Sequence, residues 1–375
     1  MKILFIAHEL SRTGAPRVLF LFIRWLKQHH PEWEADLVAL QGGPLIGEIR
    51  PLVGNLIIWN QIQRPGRLNR LIARLASLAG IDTGRLATKR MVKKLASAGY
   101  QIIYGNSVLT TDLGIEIKQA TGARLLIHVH ELETIIGLFA PGFARQVPSV
   151  DWLVAASQLV RQCLTDRFNA TDQQLKVVYE MSETGLTPPT RQPGNRFVVG
   201  CSGVVHWRKG DDVMLQVARY LKAHHPDVEA EFWWTGFITP DQQLILEADI
   251  RKLNLESTIR FLGPVADPMP LYQQFSVFFL PSREDPFPLV CIEVGLMGKP
   301  IILFEGATGI AEITGNEGGV VVPYLNIEKA ADAIAAYFRN PALAEQHGDY
   351  SRKAFSAFTP DQISPQLYAV FGGSD

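Results

Sequence analysis

The chain has 375 residues, of which 47% are hydrophobic and 19% charged, with a formal net charge of −1. That length exceeds what a single hydrophobic core usually serves, so two domains of ordinary size are expected, and a nearly balanced charge gives no global attraction to nucleic acid. Three cysteines, Cys163, Cys201 and Cys291, are too far apart for zinc or redox spacing and read as reduced, buried thiols.

Short apolar runs alternate with helical patterns along the whole chain, the signature of βαβ units and parallel sheets. The opening run, Met1 to Glu9, is too short for a secretory leader and meets charge at once. No run of about 18 apolar residues is present to span a bilayer. A cytoplasmic protein is therefore expected. Strands are predicted at Lys2–Ala7, Ala35–Leu40, Leu56–Ile58, Ile102–Tyr104, Arg124–His128 and Trp152–Ala155. A second set follows at Phe197–Cys201, Glu229–Thr235, Ile259–Phe261, Val277–Leu280, Pro300–Leu303 and Gly319–Val322. Helices are predicted at Pro16–His29, Arg208–Ala223, Pro240–Leu253, Leu289–Met297 and Ile327–Phe338. The proline-rich polar stretch from Thr187 to Asn195 cannot join a sheet interior and marks the domain boundary. This gives a first domain over 1–187, a linker over 188–195 and a second domain over 196–359. A last helix, at about 360–372, is expected to return to the first domain.

Several loops carry chemistry. After the first strand, Gly14 and Ala15 let backbone approach a ligand closely, and Pro16 suits the opening turn of a helix. Between Arg64 and Lys94 lie nine Lys or Arg and a single acid, Asp82. Leu68, Leu71, Ile72, Leu75 and Leu78 are interleaved at helical spacing. The pattern fits a basic amphipathic helix on an anionic membrane surface, or equally a helix packed on its own sheet with a solvated basic face. The fifth strand ends in His128, His130 and Glu131, and alternation puts the two histidines on one side.

In the second half, Gly203 to Gly210 follows a strand and opens a helix, with Arg208 and Lys209 at its end. Those cations and a helix dipole can neutralise a diphosphate. The run Pro281-Ser-Arg-Glu-Asp285-Pro-Phe287-Pro-Leu289-Val290-Cys-Ile-Glu293 sits at the carboxyl end of a strand, where open α/β sheets place ligands. Asp285 and Glu293 are suited to hydroxyls rather than to phosphate, so the run reads as a sugar-nucleotide site. Pro286 and Pro288 have no N–H to donate, which leaves the backbone of Phe287, Leu289 and Val290.

This last run resembles the acidic signature of the retaining glycosyltransferases of family 4, the group 1 glycosyl transferases. Members carry Glu-x7-Glu in a Pro-Ser-x-x-Glu-Gly-Phe-Gly-Leu context. Here Asp285 replaces the first glutamate, and prolines replace both glycines. Gly298-Lys-Pro300 resembles the family's next strand start, and Gly203 to Gly210 its donor loop, with Val204 where an arginine is usual. The resemblance implies a GT-B fold, two Rossmann-like domains with parallel sheets facing across a cleft. It also implies transfer of a hexosyl group from a nucleotide-diphosphate sugar with retention and front-face geometry. The acceptor would be a glycan, a lipid-linked molecule or a small molecule.

By the same resemblance, His130 touches the transferred sugar, Lys209 and Arg208 hold the leaving diphosphate, Asp285 the sugar hydroxyls and Glu293 the ribose. Gly14 and Ala15 face the donor, Gly263 lies by the base, and the backbone of Thr308 and Gly309 lies by the phosphates. The expected catalytic set is thus His130, Lys209 and Asp285. No metal or other cofactor is expected, since the group does not require one and no third ligand is spaced for the histidines. A contact of 64–94 with the inner face of the membrane stays open. So does a catalytically silent nucleotide-sugar or glycan binder on the same fold. A Rossmann dehydrogenase is disfavoured, because no Gly-x-Gly-x-x-Gly follows the first strand.

Overall fold

The computed structural model describes residues 1–60, 83–183 and 196–372. It divides into one unit of Met1–Met181 with Pro360–Asp375 and a second of Ser182–Thr359. The boundary thus falls a few residues before the expected linker, and residues 188–195 lie outside the described residues. Ser182 goes with the second unit because its N–H donates to the Phe358 carbonyl (3.1 Å) and its hydroxyl to Glu293 (3.2 Å).

The first unit holds a seven-stranded parallel sheet in the order β3-β2-β1-β4-β5-β6-β7. The strands are β1 Lys2–Ala7, β2 Glu34–Ala39, β3 Leu56–Ile58, β4 Ile102–Asn106, β5 Arg124–Val129, β6 Trp152–Ala155 and β7 Leu175–Val177. β7 is the one strand the sequence reading lacks. It is a three-residue edge strand with a lysine at its centre, too brief to show a period. β1 and β5 are buried along nearly their whole length, as strands covered on both faces must be. Helix α1 (Gly14–His29) covers one face and buries nine residues, among them Phe20, Phe22 and Trp25.

Helix α2 (Thr83–Ala96) belongs to the basic stretch whose residues 64–82 lie outside the described ones. It buries Met91 and Leu95 and turns Lys89, Arg90, Lys93 and Lys94 to solvent. In this part, the apolar side is used by the protein's own core.

The second unit has a six-stranded parallel sheet in the order β10-β9-β8-β11-β12-β13. Its strands are β8 Phe197–Ser202, β9 Ala230–Thr235, β10 Ile259–Gly263, β11 Val277–Leu280, β12 Ile301–Phe304 and β13 Gly319–Val322. Phe279 and Phe304 meet edge to face across neighbouring strands at 5.9 Å. Helix α3 (Asp211–His224) packs Val213, Met214, Val217 and Leu221 into the same core. It begins three residues later than the sequence suggests, because Trp207–Lys209 form a 3-10 turn and Gly210, at φ 76°, breaks the helical path. Helix α4 (Leu289–Leu296) follows β11.

The last helix, α5 (Pro360–Phe371), belongs to the first unit. Phe371 meets Phe22 at 6.1 Å and Trp33 at 5.9 Å, and Tyr368 stacks on His30 at 4.1 Å. Among the described residues, no helix is long and apolar enough to cross a membrane.

Candidate functional site

In both sheets the strand order reverses beside the first strand, between β1 and β4 and between β8 and β11. At such a switch point, the loops leaving the two strands run to opposite faces and open a crevice at the carboxyl ends. The residues singled out from the sequence gather at these two points, each within its own unit.

In the second unit, the loop after β8 brings Arg208 and Lys209 against the loop after β11. Gly210 makes this approach possible: a Cβ there would lie 2.0 Å from the Pro281 carbonyl oxygen, at a φ that favours glycine in any case. Asp285 receives both cations. Arg208 Nη1 is 3.0 Å from its Oδ1, and Lys209 Nζ donates to Oδ2, which also accepts from the Ser282 hydroxyl at 3.2 Å. Arg208 donates as well to the Glu284 carbonyl at 2.7 Å. The side chains keep 25% (Arg208), 14% (Lys209) and 7% (Asp285) exposure, so the ion pairs are largely withdrawn from water.

Burial pushes the Asp285 carboxyl up, but Lys209 and Arg208 outweigh it and hold the group below the usual carboxylate range. Lys209 is shifted down, by burial first and Arg208 second, against the pull of Asp285. Two cations face one anion, so the cluster keeps a surplus positive charge in a half-dry site. That suits a diphosphate.

The neighbouring groups refine the expectations. Asp211 and Asp212 occupy the first turn of α3 and already answer its dipole. The positive charge available to an anion therefore comes from Arg208 and Lys209. Arg283 grips Asp212 with two 2.8 Å hydrogen bonds and lies over the Trp207 ring, which braces the loop after β8 from its other side. The Asp285 N–H donates to the Ala307 carbonyl (2.8 Å), tying this loop to the one after β12. The Gly309 N–H is taken by the Pro286 carbonyl at 3.0 Å, and the Ile310 N–H by the Thr308 hydroxyl at 3.2 Å. Of the Thr308 and Gly309 amides expected to face phosphate, that of Gly309 is thus bonded inside the protein.

Phe287 is buried and stacks on Phe358 at 5.5 Å. Leu289 and Val290, half-buried, stand in the first turn of α4, where the helix itself offers no acceptor for their N–H groups. Glu293 is half-buried, one helical face further on, and accepts from Ser182 at 3.2 Å. Burial, then the negative charge of Glu293, raises the Tyr272 hydroxyl well above its usual range, so that phenol stays neutral. The Gly263 carbonyl accepts from the Gly236 N–H (2.9 Å) and the Thr235 hydroxyl (3.1 Å), which fixes the loop after β10.

In the first unit, His128 and His130 lie on one side of β5, their rings 4.0 Å apart. His130 Nδ1 is 2.5 Å from Glu180 Oε1, and its Nε2 is 3.0 Å from Asn106 Oδ1. The other end of the Asn106 amide donates to the Ala15 carbonyl at 2.9 Å, so the Gly14–Ala15 loop and His130 share one bridging residue. Gly14 itself adopts φ 35°. Beside Asn106, Ser107 is held at φ 124°, a strained value for a residue with a side chain. Its hydroxyl donates to Glu131, whose other oxygen accepts from the His130 N–H at 2.9 Å. Glu180 and Asn106 are absent from the sequence reading; Glu180 is 50 positions from His130 and belongs to no motif.

The expectation that the histidines lack a third ligand needs correction, since His128, His130 and Glu180 bring one donor atom each within 4.8 Å of one another. Both His130 nitrogens and His128 Nδ1 are committed elsewhere, however. Both His130 nitrogens face acceptors, and His128 Nδ1 is bonded to the Tyr104 hydroxyl at 2.7 Å. A metal ion would have to displace these bonds.

Residues 196–340 match the model of the family described as glycosyl transferases group 1. That match covers most of the second unit, and the chain has the two Rossmann-like domains of the GT-B fold. Among curated proteins, the chain is 32% identical over 197 residues to the lipopolysaccharide core biosynthesis mannosyltransferase LpcC of Rhizobium leguminosarum bv. viciae, spanning 51% of this chain and 54% of that protein. It is 25% identical over 228 residues to an exopolysaccharide phosphotransferase of Streptomyces coelicolor, spanning 60% of this chain and 24% of that one. The matches therefore span from a quarter to about half the length of these relatives. Among solved structures, Anabaena HepE in complex with UDP and glucose aligns over 100% of both chains with a TM-score of 0.78 at 19% identity.

Proposed function

We propose that this protein is a retaining glycosyltransferase that moves a hexosyl group from a nucleotide-diphosphate sugar to a glycan, lipid-linked or small-molecule acceptor. The observation that carries the reading is the buried pairing of Arg208 and Lys209 with Asp285 at the β8/β11 switch point. A site built for a neutral ligand has no use for two desolvated cations. A departing diphosphate does, because its charge grows as the glycosidic bond breaks, and fixed cations in a dry site stabilise that charge without reorganising. They supply the neutralisation that a divalent ion provides in other transferases.

In the proposed step the acceptor oxygen bonds to the anomeric carbon on the face from which the diphosphate leaves. The C–O bond to phosphate breaks, its electron pair stays with the diphosphate, and the acceptor's proton passes to a phosphate oxygen. Asp285 orients donor-sugar hydroxyls once the diphosphate shares the two cations. Glu293 accepts from the ribose hydroxyls, and His130 lies at the transferred sugar. The solved relative with UDP and glucose bound supports a uridine nucleotide as the first donor to try.

Thermal unfolding against a panel of nucleotide sugars tests the reading, since a ligand of the native state raises the midpoint. The cognate donor should do so and should also release free sugar slowly without acceptor. A donor that stabilises the protein yet is never cleaved, with or without acceptor, would instead identify a silent binder. Attachment to an anionic membrane through 64–94 belongs to the same proposal. The exposed cations of α2 support a purely electrostatic contact, so binding to anionic vesicles should vanish with added salt, as charges are screened within about 10 Å at 0.1 M.

A further inference from the structure

The bonding around His130 fixes its charge state by elimination. Asn106 presents its amide nitrogen to the Ala15 carbonyl, so the end facing His130 is the oxygen, an acceptor. His130 Nε2 must therefore carry a proton. Nδ1 faces a carboxylate oxygen of Glu180 at 2.5 Å, and it too must donate. An imidazole that donates at both nitrogens is an imidazolium. The neighbouring ring is different in kind: His128 is fully buried, its Nδ1 shares one hydrogen bond with the Tyr104 hydroxyl, and burial shifts it well down.

We propose that Glu180 is a positioning residue for transfer: it holds His130 as an imidazolium and turns the Nε2–H edge toward Asn106 and the Gly14–Ala15 loop. This rests on the reading that His130 lies at the transferred sugar. With both N–H groups already bonded, a fixed cation there acts through its charge, favouring negative charge nearby. It cannot act as a base.

The titratable groups facing His130 are Glu180, Glu131 on its own strand's exit, His128 two residues before, and Tyr104 beyond that ring. Burial lowers the affinity of His130 for its proton, and the charges of Glu180 and then Glu131 more than restore it, so the net shift is upward. His128 is shifted well down, by burial first and by the charge of His130 second, which keeps a second cation from forming 4.0 Å away. Glu180 makes up the pair with its side chain 5% exposed, where water cannot substitute for it. Among the described residues, one oxygen of that carboxylate and the His128 Nε2 have no hydrogen-bond partner.

The test combines imidazole nitrogen NMR with pH–rate profiles on the full chain for wild type, Glu180→Gln and Glu180→Asp. The wild-type His130 ring should show both nitrogens protonated through neutral pH. In Glu180→Gln, which keeps the shape and loses the charge, the ring should become neutral at least about one unit lower in pH, a tenfold change in proton affinity. The alkaline limb of kcat/KM should move down with it, and Glu180→Asp should restore most of both. A wild-type ring that is neutral at neutral pH overturns the proposal, and that result needs no variant to fold. An equal titration in wild type and Glu180→Gln overturns it as well. If the NMR titration moves and the rate profile does not, the pair is structural and the positioning role is excluded, while donor binding in the second unit is untouched.

Discussion

Arg208 Nη1 and Asp285 Oδ1 stand 3.0 Å apart although 77 positions separate them in the chain. Two loops that leave neighbouring strands on either side of a switch point can place such residues face to face. The pair does more than join the loops. Its carboxylate keeps the Arg208 and Lys209 side chains extended into a half-dry crevice, ready to be shared with an anion of higher charge.

Lys209→Ala should lower donor turnover by about 2–4 kcal/mol in the barrier, or roughly thirtyfold to a thousandfold. Asp285 keeps Arg208 and Ser282 as partners, so the circular dichroism spectrum should be unchanged. Turnover near the wild-type rate would remove this loop from the donor site.

Gly210→Ala tests the architecture rather than the charge. The added Cβ would meet the Pro281 carbonyl oxygen at 2.0 Å in a left-handed backbone conformation. A loss of at least about 2 kcal/mol is expected in urea unfolding, with the m-value unchanged. An unaltered midpoint would mean that the two loops do not meet as described.

The acid side of the stability curve should report Asp285. Lys209 and Arg208 hold its folded pKa below the usual carboxylate range. The contribution is therefore present above about pH 4 and is lost as the pH falls through the depressed value. Asp285→Asn leaves both cations without their counter-charge and should cost about 3–5 kcal/mol at neutral pH. The gap between variant and wild type should narrow on acidification. A gap that widens instead would place the carboxylate outside the ion pair.

Most of the scaffold was legible because parallel strands buried on both faces are continuous apolar runs, as β1, β11 and β12 are. β7 escaped because a lysine interrupts its three residues, whereas the equally short edge strand β3 is wholly apolar. The start of α3 was misplaced because Gly210 looks like any helix-opening glycine until its φ is known. At the donor site, Arg208, Lys209, Asp285 and Glu293 were readable as motif residues, but their pairing was not. An ion pair between residues 76 positions apart depends on strand order, which the sequence does not state. Glu180 and Asn106 were invisible for the same reason. Asn106 ends β4 and Glu180 follows β7, and only the sheet makes them neighbours of His130.

Glu293→Gln separates binding from chemistry. Its proposed work is to accept from ribose hydroxyls, so affinity for the nucleoside diphosphate should fall by roughly 1–3 kcal/mol. Turnover at saturating donor should change much less. Equal affinity in variant and wild type would leave Glu293 as a structural partner of Ser182.

Calorimetric titration of nucleoside diphosphates, UDP first, into wild type and Arg208→Ala/Lys209→Ala bears most directly on the central claim. Wild type should bind one of them at a single site. The double variant should lose at least about a hundredfold in affinity, since two charge-assisted contacts of about 1.5–3 kcal/mol each are removed. Binding that survives in the double variant, or a wild type that binds none of them, would contradict a diphosphate held by Arg208 and Lys209.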